Sequence, residues 1–264
     1  MFKKWLIVAV TLLVIGILGA LLTAKPYFSL ENENETQTKQ FKSSEIQSLI
    51  VSNSFGTIKL IETSGDEIIV ENNGPKTSKS VKIETEGDSL SITNDAKKSI
   101  SLGINLRKSS ENITVYLPKK QYERITISND VGEITINQIN AVYLNVKSDV
   151  ADIDISDVSS TSLNVSSEVG DVSIKDYSGK LEIENETGSI EISTDKVTQS
   201  LIAHNEVGEI DLTINQKPMN IFISADSDIG STRIFGQKTG SYMNGDGSIT
   251  VDLSTELGDI RVND

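Results

Sequence analysis

At 264 residues and 37% hydrophobic content, the chain suits one or two ordinary domains, and its net charge of −14 makes nucleic acid and anionic headgroups poor partners. It has no cysteine, which excludes disulfides, thiolate catalysis, cysteine-based zinc sites and iron–sulfur clusters. Aromatics are 5% of residues and there is one histidine, a sparse kit for carbohydrate cleavage.

The stretch from Trp5 to Ala24 carries no charge, and about 20 such residues cross a bilayer as a helix. A cleaved signal peptide is the alternative, with an apolar region of about 7–15 residues ending in small side chains. Here the run is longer, and Leu22 stands where a small residue is wanted. An uncleaved anchor over residues 1–25 is therefore expected, contacting the membrane through 5–24. Lys3 and Lys4 precede it and only Lys25 follows, which puts the N-terminus in the cytoplasm and the remainder outside. That remainder carries 21 basic and 38 acidic residues, a net −17. Residues 26–45 are polar and aperiodic, and read as a flexible stalk ahead of a domain over 46–264.

Residues 61–120 look like irregular β structure. Ser80 to Thr93 has the pattern of a hairpin around Gly87, Asn112 to Pro118 that of a strand, and Asn94 to Arg107 that of an interrupting loop. From Asn129 onward one phrase recurs, centred on Gly132, Ala151, Gly170, Gly188, Gly208, Gly230 and Gly258, in steps of 19, 19, 18, 20, 22 and 28. An outlying copy at Gly56 lies 76 residues before Gly132, or four steps of 19. With the Gly position as zero, the eight copies give 40 places at −7, −5, −1, +2 and +4, and all but Thr187 and Thr232 are apolar. Alternation at −7/−5 and at +2/+4 is the period of half-buried strands, and Gly between them supplies a turn. The apolar residue at −1 is expected to point into the corner.

No single repeat buries enough surface to stand alone, so copies must stack, with strands about 4.8 Å apart. The expected fold is all-β, a β-solenoid of about 19-residue coils behind one transmembrane helix. A sandwich of hairpins shares the alternation but does not require constant coil length.

The segment Ile113-Thr-Val-Tyr-Leu-Pro118, followed by Arg124 to Ile136 with its Asn-Asp-Val-Gly-Glu-Ile phrase, resembles the bacterial putative-adhesin domain of unknown function found in LiaG-like, membrane-anchored proteins of Gram-positive bacteria. The resemblance spans about residues 46–264. It implies a β-solenoid ectodomain linked to surface adhesion or envelope stress, and it supplies no catalytic residues.

Candidates for chemistry are few. His204 faces outward with no implied partner, and a lone imidazole needs a nucleophile or co-ligands to act. Only Arg107, Arg124, Arg233 and Arg261 are available for bidentate grip on anions. Gly245 to Ser248 reads as a turn, since it lacks the lysine of a phosphate loop. No enzyme is expected. The final strand, Ile260 to Asp264, lacks an obvious cap and so presents a bare edge, open to strand addition or blunted by Asp259, Arg261 and Asp264.

One surface stands out. Position −2 is acidic in seven copies, at Asp130, Asp149, Glu168, Glu186, Glu206, Asp228 and Glu256. Positions +1 and +3 add Glu133, Asp152, Asp154, Asp171, Glu191, Glu209 and Asp211. Stacking would align them as an acidic stripe, with like charges about 4.8 Å apart repelling by roughly 1 kcal/mol per pair in water. Three readings stay open: solubility and protection from edge association, contact with a basic partner, and Ca²⁺ bridging of −2 and +1 carboxylates, against which the spacing of known Ca²⁺-binding β-rolls counts. The function expected is a non-catalytic, membrane-anchored binding or scaffold module that engages a cell-wall component or an envelope protein. The alternative is an accessory of an envelope-stress response that contacts other membrane proteins, with a carbohydrate-active enzyme a distant third.

Overall fold

The computed structural model describes residues 34–75, 81–94, 110–216 and 219–264. The expected anchor lies outside these residues, as does the expected loop beyond Asn94. Among the described residues no helix is long and apolar enough to cross a membrane. Strands and tight turns make up nearly everything, because period-two patterning runs through the chain.

β1 (Asn34–Lys42) leads through a single 3-10 turn (Ser43–Glu45) to β2 (Ser48–Asn53) and β3 (Gly56–Thr63). β4 (Glu67–Pro75), β5 (Val81–Glu86), β6 (Ser89–Asn94) and β7 (Asn112–Pro118) follow. Three long strands come next, β8 (Gln121–Asn137), β9 (Asn140–Val169) and β10 (Val172–Thr187), each bending as it goes. Shorter strands complete the chain: β11 (Ile190–Thr194), β12 (Leu201–Val207), β13 (Ile210–Ile214) and β14 (Ile221–Ile229). Then come β15 (Thr232–Ile234), β16 (Ser241–Asn244), β17 (Ile249–Leu257) and β18 (Ile260–Asn263).

Successive repeats pair in parallel and in register, so like positions lie over one another. Ile134 pairs with Ile153 and Ile153 with Val172. Val172 pairs with Ile190, and Ile190 with Ile210. Side chains at −7, −5, +2 and +4 point inward, and the aliphatic ones are almost fully buried in one continuous column. The Ser80–Thr93 hairpin is present as antiparallel β5 and β6, and Asn112–Pro118 is a strand.

The order of levels differs from the order of the chain. Gly56 pairs directly with Gly132, so the 76-residue interval does not hold coils between them. It folds to the other side instead, where β6 lies on β2 and β7 on β3 as an outermost level. β5 and β4 then cover that level in antiparallel fashion. The opposite end repeats the device in reverse. β14 and β15 form the outermost level, β16 covers part of β14 antiparallel, and the chain returns so that β17 lies between β12 and β14. β18 likewise lies between β13 and β15. The expected bare edge at Ile260 to Asp264 is thus an interior strand, because Ile260 and Val262 match the buried places of both neighbours.

The stretch expected as a stalk is strand from Asn34 to Lys42, paired with β4. Its side chains are exposed on both faces except near Phe41, and such a strand shows no alternation from which to be read. Lys120 fastens its exit by donating from Nζ to the carbonyls of Ser43 (2.6 Å) and Ile46, with burial lowering the lysine's affinity for its proton.

Candidate functional site

The repeated corner is where the acidic residues meet, and its hydrogen bonding explains most of its residue types. Residue −3 turns inward: Asn53, Asn129, Ser148, Ser167, Asn185, Asn205 and Thr255 are all buried. The Gly carbonyl of the neighbouring level also points in, and at several levels the −3 side chain satisfies it, whereas Ser148 and Ser167 make no such bond. Asn129 Nδ2 donates to the Gly56 carbonyl at 2.9 Å, Asn205 Nδ2 to that of Gly188 at 2.7 Å, and Thr255 Oγ1 to that of Gly208 at 3.1 Å. An unpaired carbonyl there would cost about 1–3 kcal/mol, which is why a polar residue stands in an otherwise aliphatic column.

Once −3 is inside, the chain bends and −2, −1 and +1 face out. The expectation that −1 fills the corner is therefore corrected. Val150 is 47% exposed, Val169 45%, Val207 43%, Leu257 47% and Ile229 67%. These residues are in register: Val131 with Val150, Thr187 with Val169 and Val207, and Leu257 with Val207 and Ile229. The corner thus carries an aliphatic ridge along the stack, begun at its other end by half-buried Phe55. Rows of solvent-exposed large apolar residues are unusual, and mark contact surfaces more often than scattered ones do.

The acidic residues flank this ridge. Asp130, Asp149, Glu168 and Glu206 lie on the −2 side, and Glu133, Asp152, Asp171 and Glu209 on the +1 side. Asp154 and Asp211 stand at +3, farther along the following face. All ten are exposed or half-exposed.

Part of the +1 row also serves the backbone. Asp152 Oδ1 accepts the Asp171 backbone N–H at 3.1 Å, Asp171 Oδ1 that of Ser189 at 2.7 Å, and Asp259 Oδ1 that of Ser231 at 2.9 Å. Those bonds from Ser231 hold the Asp259 carboxyl below the usual carboxylate range.

At the far end Arg261 reaches Glu209 and Asp211 (3.3 Å) and Asp259 (3.4 Å), so Glu209 and Asp211 have a cation of their own. The hydrogen bond to Glu209 above all keeps the guanidinium protonated. The remaining eight of the ten have no basic partner among the described residues. No group of three or more acidic or histidine side chains among the described residues is arranged to hold a metal ion.

His204, expected without a partner, has one: its Nδ1 lies 2.9 Å from Ser254 Oγ on the next level, with Glu184 on the level before. The pair sits on an exposed, flat strand face, where the neighbouring backbone N–H groups already serve the ladders on either side. An oxyanion there would find no pair of free donors.

A family model described as Toastrack DUF4097 matches residues 46–263. Among solved structures, the chain is similar to a putative cell adhesion protein from Clostridium sporogenes, with 14% identity, coverage of 88% of this chain and 99% of that one, and a TM-score of 0.43. It is similar also to a putative adhesin from Bacteroides fragilis, at 15%, 86%, 97% and 0.44 respectively. A third is a putative lipid binding protein from Parabacteroides distasonis, at 14%, 85%, 96% and 0.30. No curated protein matches the chain.

Proposed function

We propose, from the premise that this chain belongs to the Toastrack DUF4097 family, that it is a non-catalytic binding module of the cell envelope whose partner is a basic, apolar-striped segment of another envelope protein. The module is a β-solenoid over residues 46–264, held at the membrane by residues 5–24 with its C-terminal domain outside. Parallel, in-register pairing of repeats 18–20 residues apart supports the solenoid reading. The uncharged run from Trp5 to Ala24 supports the anchor.

The observation that carries the functional reading is the aliphatic ridge between two acidic rows. A protein segment can offer aliphatic and cationic side chains together, whereas an anionic wall polymer would be repelled by these rows unless a metal ion bridged them.

The test uses the full chain in mild detergent, cross-linked in membranes from a cysteine placed at Val150, since the native sequence has none. Capture of envelope proteins is expected, falling about tenfold when Asp130, Asp149 and Glu168 are changed to Lys. That is three rim charge pairs at roughly 0.5 kcal/mol each. Capture indifferent to these changes, or binding to purified wall sacculi that chelator abolishes, would overturn the reading.

A further inference from the structure

We infer that the segment received by this ridge is an amphipathic α-helix lying along the stack, its apolar stripe on the −1 rungs and its cations over the acidic rows. The inference deepens the reading above and rests on it. The backbone of the ridge argues against the main alternative, an added strand. Carbonyls of the −1 residues are already taken by the Gly N–H of the adjoining level: Thr187 accepts from Gly170 at 2.9 Å, Val207 from Gly188 at 3.0 Å, Leu257 from Gly208 at 2.9 Å and Ile229 from Gly258 at 3.1 Å. The Phe55 carbonyl likewise accepts the Glu111 N–H at 3.0 Å. Strand addition draws its affinity from main-chain hydrogen bonds, and along this corner those carbonyls are spent on the stack itself. A helix closes its own backbone and needs only side-chain contact.

The rung spacing selects a helix independently. Val131, Val150, Val169 and Thr187 lie on successive levels, so their side chains recur about every 4.8 Å. A helical stripe with apolar residues at alternating three- and four-residue intervals recurs about every 5.2 Å, and one face of a strand about every 6.8 Å. Over three steps the helix slips by about 1 Å, which side-chain rotamers absorb, and the strand by about 6 Å, more than a whole rung.

Charge decides which rungs are used. Asp130, Asp149, Glu168 and Glu186 flank these rungs on the −2 side, and Glu133, Asp152 and Asp171 on the other. None of them has a basic partner among the described residues. Farther along, Arg261 already serves Glu209 and Asp211. Val150 and Val169 are 47% and 45% exposed, so about half of each side chain is left for a partner to cover. A helix with a leucine stripe between two rows of lysines meets the rungs and both carboxylate rows at once.

The absence of native cysteine makes the test direct. The full chain in mild detergent carries Val150→Cys on the ridge or, as a control, Ser178→Cys on a different corner. The probe is a synthetic peptide of about 18 residues, or five helical turns, with leucine at the three- and four-residue intervals and lysine flanking them. A single cysteine is moved along the peptide position by position, and the disulfide yield is read at each. Yield with Val150→Cys is expected to peak every third or fourth position, at least tenfold above the Ser178→Cys control. An isomer of the same composition, with leucine and lysine in strict alternation, should compete at least tenfold less well. Yields that peak at every second position, show no period or do not exceed the control, or equal competition by the isomer, would overturn the inference. If that happens while charge reversal of Asp149 and Glu168 still reduces envelope-protein capture, the helix alone is wrong; capture indifferent to those changes removes the ridge reading as well.

Discussion

Gly208 has φ +143°, and a Cβ built there would lie 1.9 Å from the Gly188 carbonyl oxygen. Backbone is on the other side of that clash, so nothing nearby can swing away, and the conformation is itself costly for a residue with a side chain. Gly208→Ala is expected to cost 2 kcal/mol or more, read as a lowered urea midpoint. Ala151 is the informative contrast: it occupies the same place in its own repeat without a positive φ. Ala151→Gly should therefore cost only the entropy of a freer unfolded chain, about 0.5–1 kcal/mol. Similar costs for the two changes would mean that the corner tolerates a Cβ throughout. Gly188 and Gly258 make the same approach at 2.0 Å, so the constraint belongs to the corner and not to one residue.

At the scale of the element, some corners close their own hydrogen bonds and others leave the −3 hydroxyl unmet, as at Ser148 and Ser167. The inward carbonyls of Gly56 and Gly188 are met by the −3 side chains of adjoining repeats, and the outward N–H groups of Asp171 and Ser189 by the neighbouring +1 carboxylates. Asparagine keeps an acceptor but loses the charge; alanine loses both. Asp171→Asn should hence leave stability nearly unchanged, while Asp171→Ala costs about 0.5–1 kcal/mol by freeing the Ser189 N–H to water. Both should weaken capture of a basic partner alike. Denaturant midpoints beside capture yields separate the two roles, and a capture defect in the alanine variant alone would assign Asp171 to the fold only.

Taken whole, the molecule seals itself by the same device at both ends. The outermost level is covered by antiparallel strands, and the chain passes through the level beneath it. A stack whose units touch only their neighbours loses stability locally when a unit is removed. Deleting residues 249–264 takes out an interior level and leaves β14 paired with β16 alone. Amide exchange in β12, β13 and β14 should accelerate at least a hundredfold, while β2 and β3 stay protected. Unchanged exchange in β14 would contradict the interior placement of β17.

Local pattern was enough to read the strands, the hairpin at Val81 to Asn94, the inward places at −7, −5, +2 and +4, and the alignment of the acidic residues. These follow from period-two alternation and from the constancy of the repeat. Three features were not legible. The −1 residues look like core by hydropathy alone, and only the bend that begins at −3 turns them outward. That bend has a signal in the recurring Asn, Ser or Thr two places before each −1 residue, which the hydrophobic count ignores. β1 is wet on both faces and leaves no pattern. The inversion of level order at each end depends on which strands compete for the same edge, a long-range pairing choice that spacing along the chain does not encode. Sequence by itself therefore determined what each repeat is and which of its alternating strand positions face inward, because alternation and turn chemistry are local. Tertiary structure decided which repeats are neighbours and which apolar row meets solvent, because both depend on how backbone hydrogen bonds close between segments far apart in the chain.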